Sequence, residues 1–143
     1  PAEGERVTVR ISSREPVRAR LVDEAPPGFV VECMDLSDAI DDESGLRIAT
    51  SAYGEQLTHG RLGDLRPQIV DGATVAFGSP GRGLPEILGI EPEAVSAAVA
   101  AGQHVESDPG FDRWLNTIPR QGSETVRTEE AMFASLGCLT LTE

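Results

Sequence analysis

The sequence predicts an α/β fold with a mainly parallel sheet. Short apolar runs alternate with helical patterns through most of the chain, the order that packs helices over such a sheet. Two loops rich in glycine and proline, Phe77-Gly78-Ser79-Pro80-Gly81-Arg82-Gly83-Leu84 and Asn116-Thr117-Ile118-Pro119-Arg120-Gln121-Gly122-Ser123, each follow an apolar or aromatic run and lead toward a helical pattern. Loops at strand ends are where these sheets bind ligands. Their glycines let backbone N–H groups approach a ligand, and their prolines fix the loop shape beforehand. Residues 91–101 carry a helix signature, with Pro92 in the first turn and Gly102 just past the end.

Taken in order, residues 5–22 alternate. Val7, Val9 and Ile11 oppose Arg6, Thr8 and Arg10; after Pro16, Val17, Ala19 and Leu21 oppose Arg18 and Arg20. This predicts a β-hairpin or two successive short strands. Arg6, Arg10, Arg14, Arg18 and Arg20 make it the one locally basic stretch, readable as a solvated strand face or as a nucleic-acid surface. Ala25-Pro26-Pro27-Gly28 is a turn or linker. Residues 29–34 read as a strand, 35–40 as a short helix, 41–45 as an acidic turn and 46–50 as a short apolar strand, with Tyr53-Gly54 turning after it. Residues 62–66 read as one helical turn stopped by Pro67, and 73–77 as a buried strand entering the first loop. Residues 85–88 form a short helix with Pro85 in its first turn. Residues 104–110 are a polar loop, and 111–115 the last strand, with Trp114 at its end or in the loop. Residues 125–141 are the last helix, capped by Ser123 or Thr125. Glu129 and Glu130 suit its first turns, and Met132, Leu136 and Leu139 mark its apolar face.

A chain of 143 residues is one domain, or one small domain and part of another. It holds 24 acidic and 12 basic residues for a net charge of −12, and every basic residue is arginine. An acidic excess without lysine predicts a halophilic protein, because strong salt screens carboxylate repulsion. Acidity normally argues against a nucleic-acid partner. In molar salt the counterion-release gain is already small, so charge neither excludes RNA nor supports it. Cys33 and Cys138 lack metal-ligand spacing and read as small buried apolar residues. No apolar stretch approaches the ~20 residues of a membrane span, and no secretory signal is visible, so the chain reads as cytoplasmic. It starts at Pro-Ala in what looks like mid-domain and reads as a fragment.

The first loop and the second, which continues as Glu124-Thr125-Val126-Arg127-Thr128-Glu129-Glu130-Ala131, resemble the second and third signature motifs of the SPOUT class of RNA methyltransferases. The likeness is greatest to the archaeal and eukaryotic branch with an inserted OB-like domain, a group of RNA uridine methyltransferases. There the pattern is "GSP..GL.E" and later "NTIP.QG..TVRTEEA". Leu46-Arg47-Ile48-Ala49-Thr50-Ser51, with Tyr53-Gly54-Glu55, looks like the strand and loop that precede these motifs. The resemblance covers about residues 28–143, and the second block is its specific part. It implies S-adenosylmethionine as cofactor, a C-terminal trefoil knot, a homodimer, and an RNA substrate in rRNA or tRNA, with N3 of an rRNA uridine as the acceptor. It also implies that residues 1–27 end the OB-like module and that 28–143 are the C-terminal part of the methyltransferase domain. Knots are nearly absent from proteins, and no periodicity here predicts one. Ser123 stands where threonine is common in the family and keeps the hydroxyl. The N-terminal half of the family's fold lies outside this sequence.

The resemblance implies that three loops hold the cofactor. They map onto Thr50 and Ser51, then Gly78, Ser79, Gly83 and Leu84, then Asn116, Ile118, Pro119, Gly122, Thr125 and Val126. Leu84 and Ile118 would pack on the adenine, backbone groups near Ile118, Gly122 and Val126 would bond its edges, and the Thr125 hydroxyl would cap the helix or bind ligand. Methyl transfer needs in-line placement more than acid–base help, yet a uridine N3 acceptor gains from a cation that favours its anion. Arg127 is the candidate for that role, with Glu129 or Glu130 as proton acceptor; helix-dipole stabilisation is the competing account of both glutamates. Arg82 and Arg120 are candidate RNA contacts or plain solvated loop residues. His59 and His104 carry no assigned chemistry, and no metal is expected. Two other classes compete. One is a non-catalytic RNA-binding or assembly protein that keeps the knotted fold. The other is a phosphate-binding α/β domain using residues 78–83, which lacks the Gly-Lys-Ser/Thr of a nucleotide-binding P-loop.

Overall fold

A computed structural model describes residues 2–24, 28–41 and 45–140. The chain divides into two compact units, Pro1–Cys33 and Met34–Glu143. In the first, β1 (Thr8–Arg14) and β2 (Val17–Val22) pair as an antiparallel hairpin. Val9 stands opposite Leu21 and Ile11 opposite Ala19 on one face, and Arg10 opposite Arg20 on the other. A register shift between Ile11 and Ser13 bulges β1 and sets Ser13 against Arg18. Residues 29–34 form no strand; Phe29, Val30 and Val31 are 88, 84 and 82 % exposed. β-propensity needs a ladder partner and a packed face, and this run has neither among the described residues. Cys33 lies in it and is exposed, while Cys138 is half-buried, so neither is the buried residue expected. Residues 25–27 of the expected linker and 42–44 of the expected acidic turn lie outside the described residues.

The second unit runs α1 (Leu36–Ile40), β3 (Leu46–Gln56), α2 (His59–Leu65), a 3-10 turn (Arg66–Gln68), β4 (Ala73–Ala76), α3 (Leu84–Ile87), α4 (Pro92–Ala101), β5 (Arg113–Asn116) and α5 (Thr128–Leu139). β3 is the middle of a parallel three-stranded sheet, in the order β4-β3-β5. Consecutive strand residues point to opposite faces. Ile48 and Leu115 accordingly pack with Leu65 of α2 and Leu139 of α5, whereas Ala49 and Trp114 pack with Leu84 of α3 and Val95 of α4. Helices thus cover both faces, as a parallel sheet requires. Ile48, Leu115 and Val95 are fully buried, and each such side chain contributes about 1.5–3 kcal/mol. The polar loop at 104–110 serves this core: Asp108 Oδ2 accepts from Trp114 Nε1 at 2.8 Å, and its Oδ1 accepts from Gly110 N at 2.8 Å.

β3 does not end near residue 50. Thr50 pairs with Leu115, the strand leaves the ladder, and Glu55 then pairs with the same Leu115. Asn116 Nδ2 donates to Ala52 O across the gap at 3.1 Å. Where the strand returns, a Cβ on Gly54 would lie 2.7 Å from the backbone N and C of Leu115. Tyr53-Gly54 is therefore a close backbone approach inside a strand, which uses the same glycine a turn would.

Helix ends follow local chemistry. α4 stops at Gly102 with φ 64°, as its sequence predicts. α2 is longer than the expected single turn, because Thr58 Oγ1 caps it by accepting from Arg61 N, and Pro67 falls in the 3-10 turn beyond. α5 begins later than expected. Ser123 Oγ donates to Thr125 O at 2.8 Å within its own loop, and Arg127 takes the N-cap position with its N–H on Glu130 Oε2 at 3.1 Å. Its inward face also differs: Leu139 and Ser135 are buried, while Met132 is 39 % and Leu136 42 % exposed.

Arg47 of β3 grips Asp112, just ahead of β5, through Nε–Oδ2 at 3.0 Å and Nη2–Oδ1 at 2.9 Å, and the Arg47 N–H adds a bond to Oδ2 at 2.8 Å. The guanidinium's hydrogen bond holds the Asp112 carboxyl below its ordinary range, with partial burial opposing. A depressed folded-state pKa gives stability that is present above the ordinary carboxylate range and lost as pH falls through the folded value. The Tm gap between wild type and Asp112→Asn should therefore be widest near neutrality and shrink in acid; a gap that stays constant with pH contradicts this. Gly54→Ala should cost about 1–3 kcal/mol or more by forcing backbone apart. Gly63→Ala, on α2 with open space around it, should cost nothing and add about 0.4–1 kcal/mol through the unfolded state. Chemical denaturation of both variants checks the contrast.

Candidate functional site

Parallel strands bring three carboxyl ends to one sheet edge, where open α/β sheets bind ligands. The excursion at 51–54, the loop at 77–83 and the loop at 117–127 all start there and, with the starts of α3 and α5, line a cavity of about 250 Å³.

The first loop is folded tightly on itself. Ser79 N–H donates to Arg82 O at 2.9 Å and Arg82 N–H returns to Ser79 O at 3.2 Å. A Cβ on Gly78 would sit 2.6 Å from Leu84 N, so that position takes no side chain. The second loop is held by side chains. Asn116 Oδ1 accepts from Ile118 N–H at 3.1 Å, and Gln121 Nε2 donates to Ser123 O at 3.1 Å and to Glu124 O at 3.3 Å. α5 ties both loops down. Thr128 Oγ1 donates to Gly78 O at 2.9 Å. Ser135 Oγ lies 2.7 Å from both Thr117 Oγ1 and Ala131 O; one proton per hydroxyl makes Ser135 the donor to the carbonyl and the acceptor from Thr117. That bond explains why a serine holds the buried face of the helix.

Most of the residues singled out from the sequence meet here. Thr50, Ser51, Gly78, Ser79, Gly83 and Leu84 line the cavity, as do Asn116, Ile118, Thr125 and Val126. Pro119 and Gly122 are exposed and lie outside its lining. Some lining groups are already committed: Thr50 Oγ1 donates to Ala76 O at 2.8 Å, and Asn116 spends both ends of its amide on backbone. These two shape the wall, and Ser79 Oγ is likewise committed, donating to Arg82 O at 3.2 Å; Ser51, Tyr53 and Thr125 bring hydroxyl groups that donate to no other group among the described residues. Phe77, Leu84, Ile118 and Val126 give it apolar surface.

The charged residues lining the cavity are both acidic, Glu86 and Glu124. Neither carboxylate has an ion pair among the described residues. The loop arginines look elsewhere. Arg82 Nη2 donates to Glu86 O at 3.2 Å, and Arg82, Arg120, Arg127 and Glu129 are exposed and outside the lining. Sequence reasoning took in Gln121 and Glu124 only as part of the loop from Asn116 to Val126 and passed over Glu86 and Thr128, although both stand inside the quoted motif patterns. It also passed over Ala52 and Tyr53, which reach the cavity only through the β3 excursion.

Residues 2–139 match the family described as "Putative RNA methyltransferase". A protein of Halobacterium salinarum is 57 % identical over 144 residues, covering 99 % of this chain and 50 % of its own length. One of Haloarcula marismortui is 58 % identical over 145 residues, with 99 % and 50 % covered. The human 28S rRNA (uridine-N(3))-methyltransferase is 29 % identical over 158 residues, covering 95 % of this chain and 38 % of that enzyme. The chain spans about half the length of the haloarchaeal relatives it matches. The likeness read from two loops thus extends over the strands, helices and cavity walls around them, and the chain belongs to this RNA methyltransferase family.

Proposed function

We propose that this chain carries the cofactor site of an S-adenosylmethionine-dependent RNA methyltransferase that modifies N3 of a uridine in ribosomal RNA. The observation that carries this reading is the acidic lining of the cavity at the three strand ends. A sulfonium donor is cationic, and Glu86 and Glu124 favour a cation there; a phosphate ligand would meet two uncompensated carboxylates. The same charge argues against the phosphate-binding alternative. The apolar side chains of Phe77, Leu84, Ile118 and Val126 suit an adenine ring, and the hydroxyls of Ser51 and Thr125 suit ribose or amino-acid groups. When bound, the donor supplies an electrophilic methyl group, so the chain's own task is to hold it and to place the nucleophile in line.

Arg127, at the start of α5, would stabilise the uridine anion as N3 loses its proton, with Glu129, two residues on, as the acceptor. Glu130 is already bound to the Arg127 N–H, which leaves Glu129 the better candidate of the two. Arg82 and Arg120 flank the cavity on exposed loops and would meet RNA. A knotted threading of the C-terminal region, an OB-like origin for the hairpin and a homodimer belong to this reading through the family likeness. The uridine-N3 acceptor rests on the activity for which the human relative is named.

Calorimetric titration of the chain in molar KCl should show binding of both S-adenosylmethionine and S-adenosylhomocysteine; absence of both overturns the reading. Replacing Glu86 and Glu124 by glutamine should weaken the cationic donor about tenfold more than the neutral product, on the order of 1 kcal/mol of screened Coulomb attraction. Transfer of labelled methyl to unmodified rRNA then separates an enzyme from an assembly protein that only keeps the fold. Arg127→Ala should lower that transfer about a hundredfold without changing S-adenosylhomocysteine affinity; equal loss in both measurements would assign Arg127 to cofactor binding instead.

A further inference from the structure

Five arginines between residues 6 and 20, against the single carboxylate Glu15, stand apart in a chain whose net charge is −12. The hairpin register collects three of them on one face. Arg10 lies directly opposite Arg20, and Arg18, two residues along β2 from Arg20, shares its side and stands opposite Ser13 beyond the bulge. The other face carries Val9 opposite Leu21 and Ile11 opposite Ala19, with Arg14 opposite Val17 at the turn end. We infer that the Arg10–Arg18–Arg20 face is a docking surface for the phosphate backbone of RNA. This rests on the reading of the chain as an RNA methyltransferase.

The arrangement is hard to explain as a stabilising one. Like charges directly opposite on a ladder repel. Among the described residues Arg10 pairs with Glu24 at 2.8 Å, but those side chains are 57 and 59 % exposed, where ion pairs contribute little. Arg18 and Arg20 have no ion pair among the described residues. Cross-strand neighbours and next-but-one residues of a strand are spaced by roughly 5–7 Å, so one phosphate can be shared by two guanidiniums. Guanidinium is also the group whose fork matches phosphate oxygens in two parallel hydrogen bonds. The bulge leaves the small side chain of Ser13 opposite Arg18, which keeps that guanidinium open to a ligand. Phosphate contacts of this kind position RNA without reading its sequence, while the cavity in the other unit supplies the chemistry.

The test uses the whole chain and labelled oligouridine, with affinity followed from low to molar salt. Arg18→Gln and Arg20→Gln should each weaken binding and make the slope of log K against log salt shallower by about 0.7, with the same loss on an RNA of unrelated sequence. Arg20→Gln should leave Tm unchanged or raise it, since it relieves the repulsion from Arg10, and S-adenosylhomocysteine affinity should stay as in wild type. Arg20→Lys should restore most of the salt slope. Wild-type RNA binding with an unaltered slope in the double variant overturns this assignment alone. So does a drop in Tm that accompanies the loss, which would mark a structural role, or a change in self-association with RNA binding intact, which would make the face an interface between copies. No RNA binding by the wild type, with the cofactor still bound, overturns the hairpin assignment together with the RNA reading.

Discussion

Leu115 is paired twice by β3, first through Thr50 and again through Glu55, and the four residues between have to leave the sheet. That double use is possible because Gly54 lets two backbones approach where any Cβ would strike Leu115. The consequences spread outward. Ala52 is displaced to the sheet edge, where its carbonyl takes the Asn116 amide. Asn116 then has its oxygen free to fix the first residues of the second loop through Ile118. Ser51, Ala52 and Tyr53 become one wall of the cavity. A strand that ran straight through would present alternate side chains to the two helix layers and leave the strand ends without that wall.

The alternation of strands and helices, the Pro92-to-Gly102 helix and the two loop positions were legible in the sequence because each is specified locally, by a cap, a breaker or a short apolar run. The candidate residues that came together around the cavity, such as Ser51, Gly78 and Ile118, lie next to such signals. What escaped has a non-local cause. The length of β3 depends on Leu115, sixty residues away in the chain. The inward face of α5 turns on a serine because Thr117 offers it a partner, and helical periodicity of Met132, Leu136 and Leu139 contains no trace of that. Residues 29–34 have the composition of a strand but no ladder to join among the described residues. The acidic character of the cavity was hidden for another reason: Glu86 and Glu124 read as ordinary surface charge in a chain already rich in carboxylates, and only their convergence on one space distinguishes them.

Charge is distributed by task in this chain. The background is acidic and suits high salt, where dissolved ions screen the repulsion among exposed carboxylates. Against it, arginine is concentrated on one face of the hairpin, and uncompensated carboxylates on one cavity. Both arrangements carry a small electrostatic cost when empty, and each is relieved by a ligand of opposite sign.

The bonds from Thr128 to Gly78 and from Ser135 to Thr117 also set an order of events. The loop at 77–83 is synthesised well before α5 and the loop at 117–127 just ahead of it, and until residues 128–135 have been made neither has its bond to the helix. The nascent protein therefore completes the walls of its cavity late, after the three strands of this sheet are synthesised.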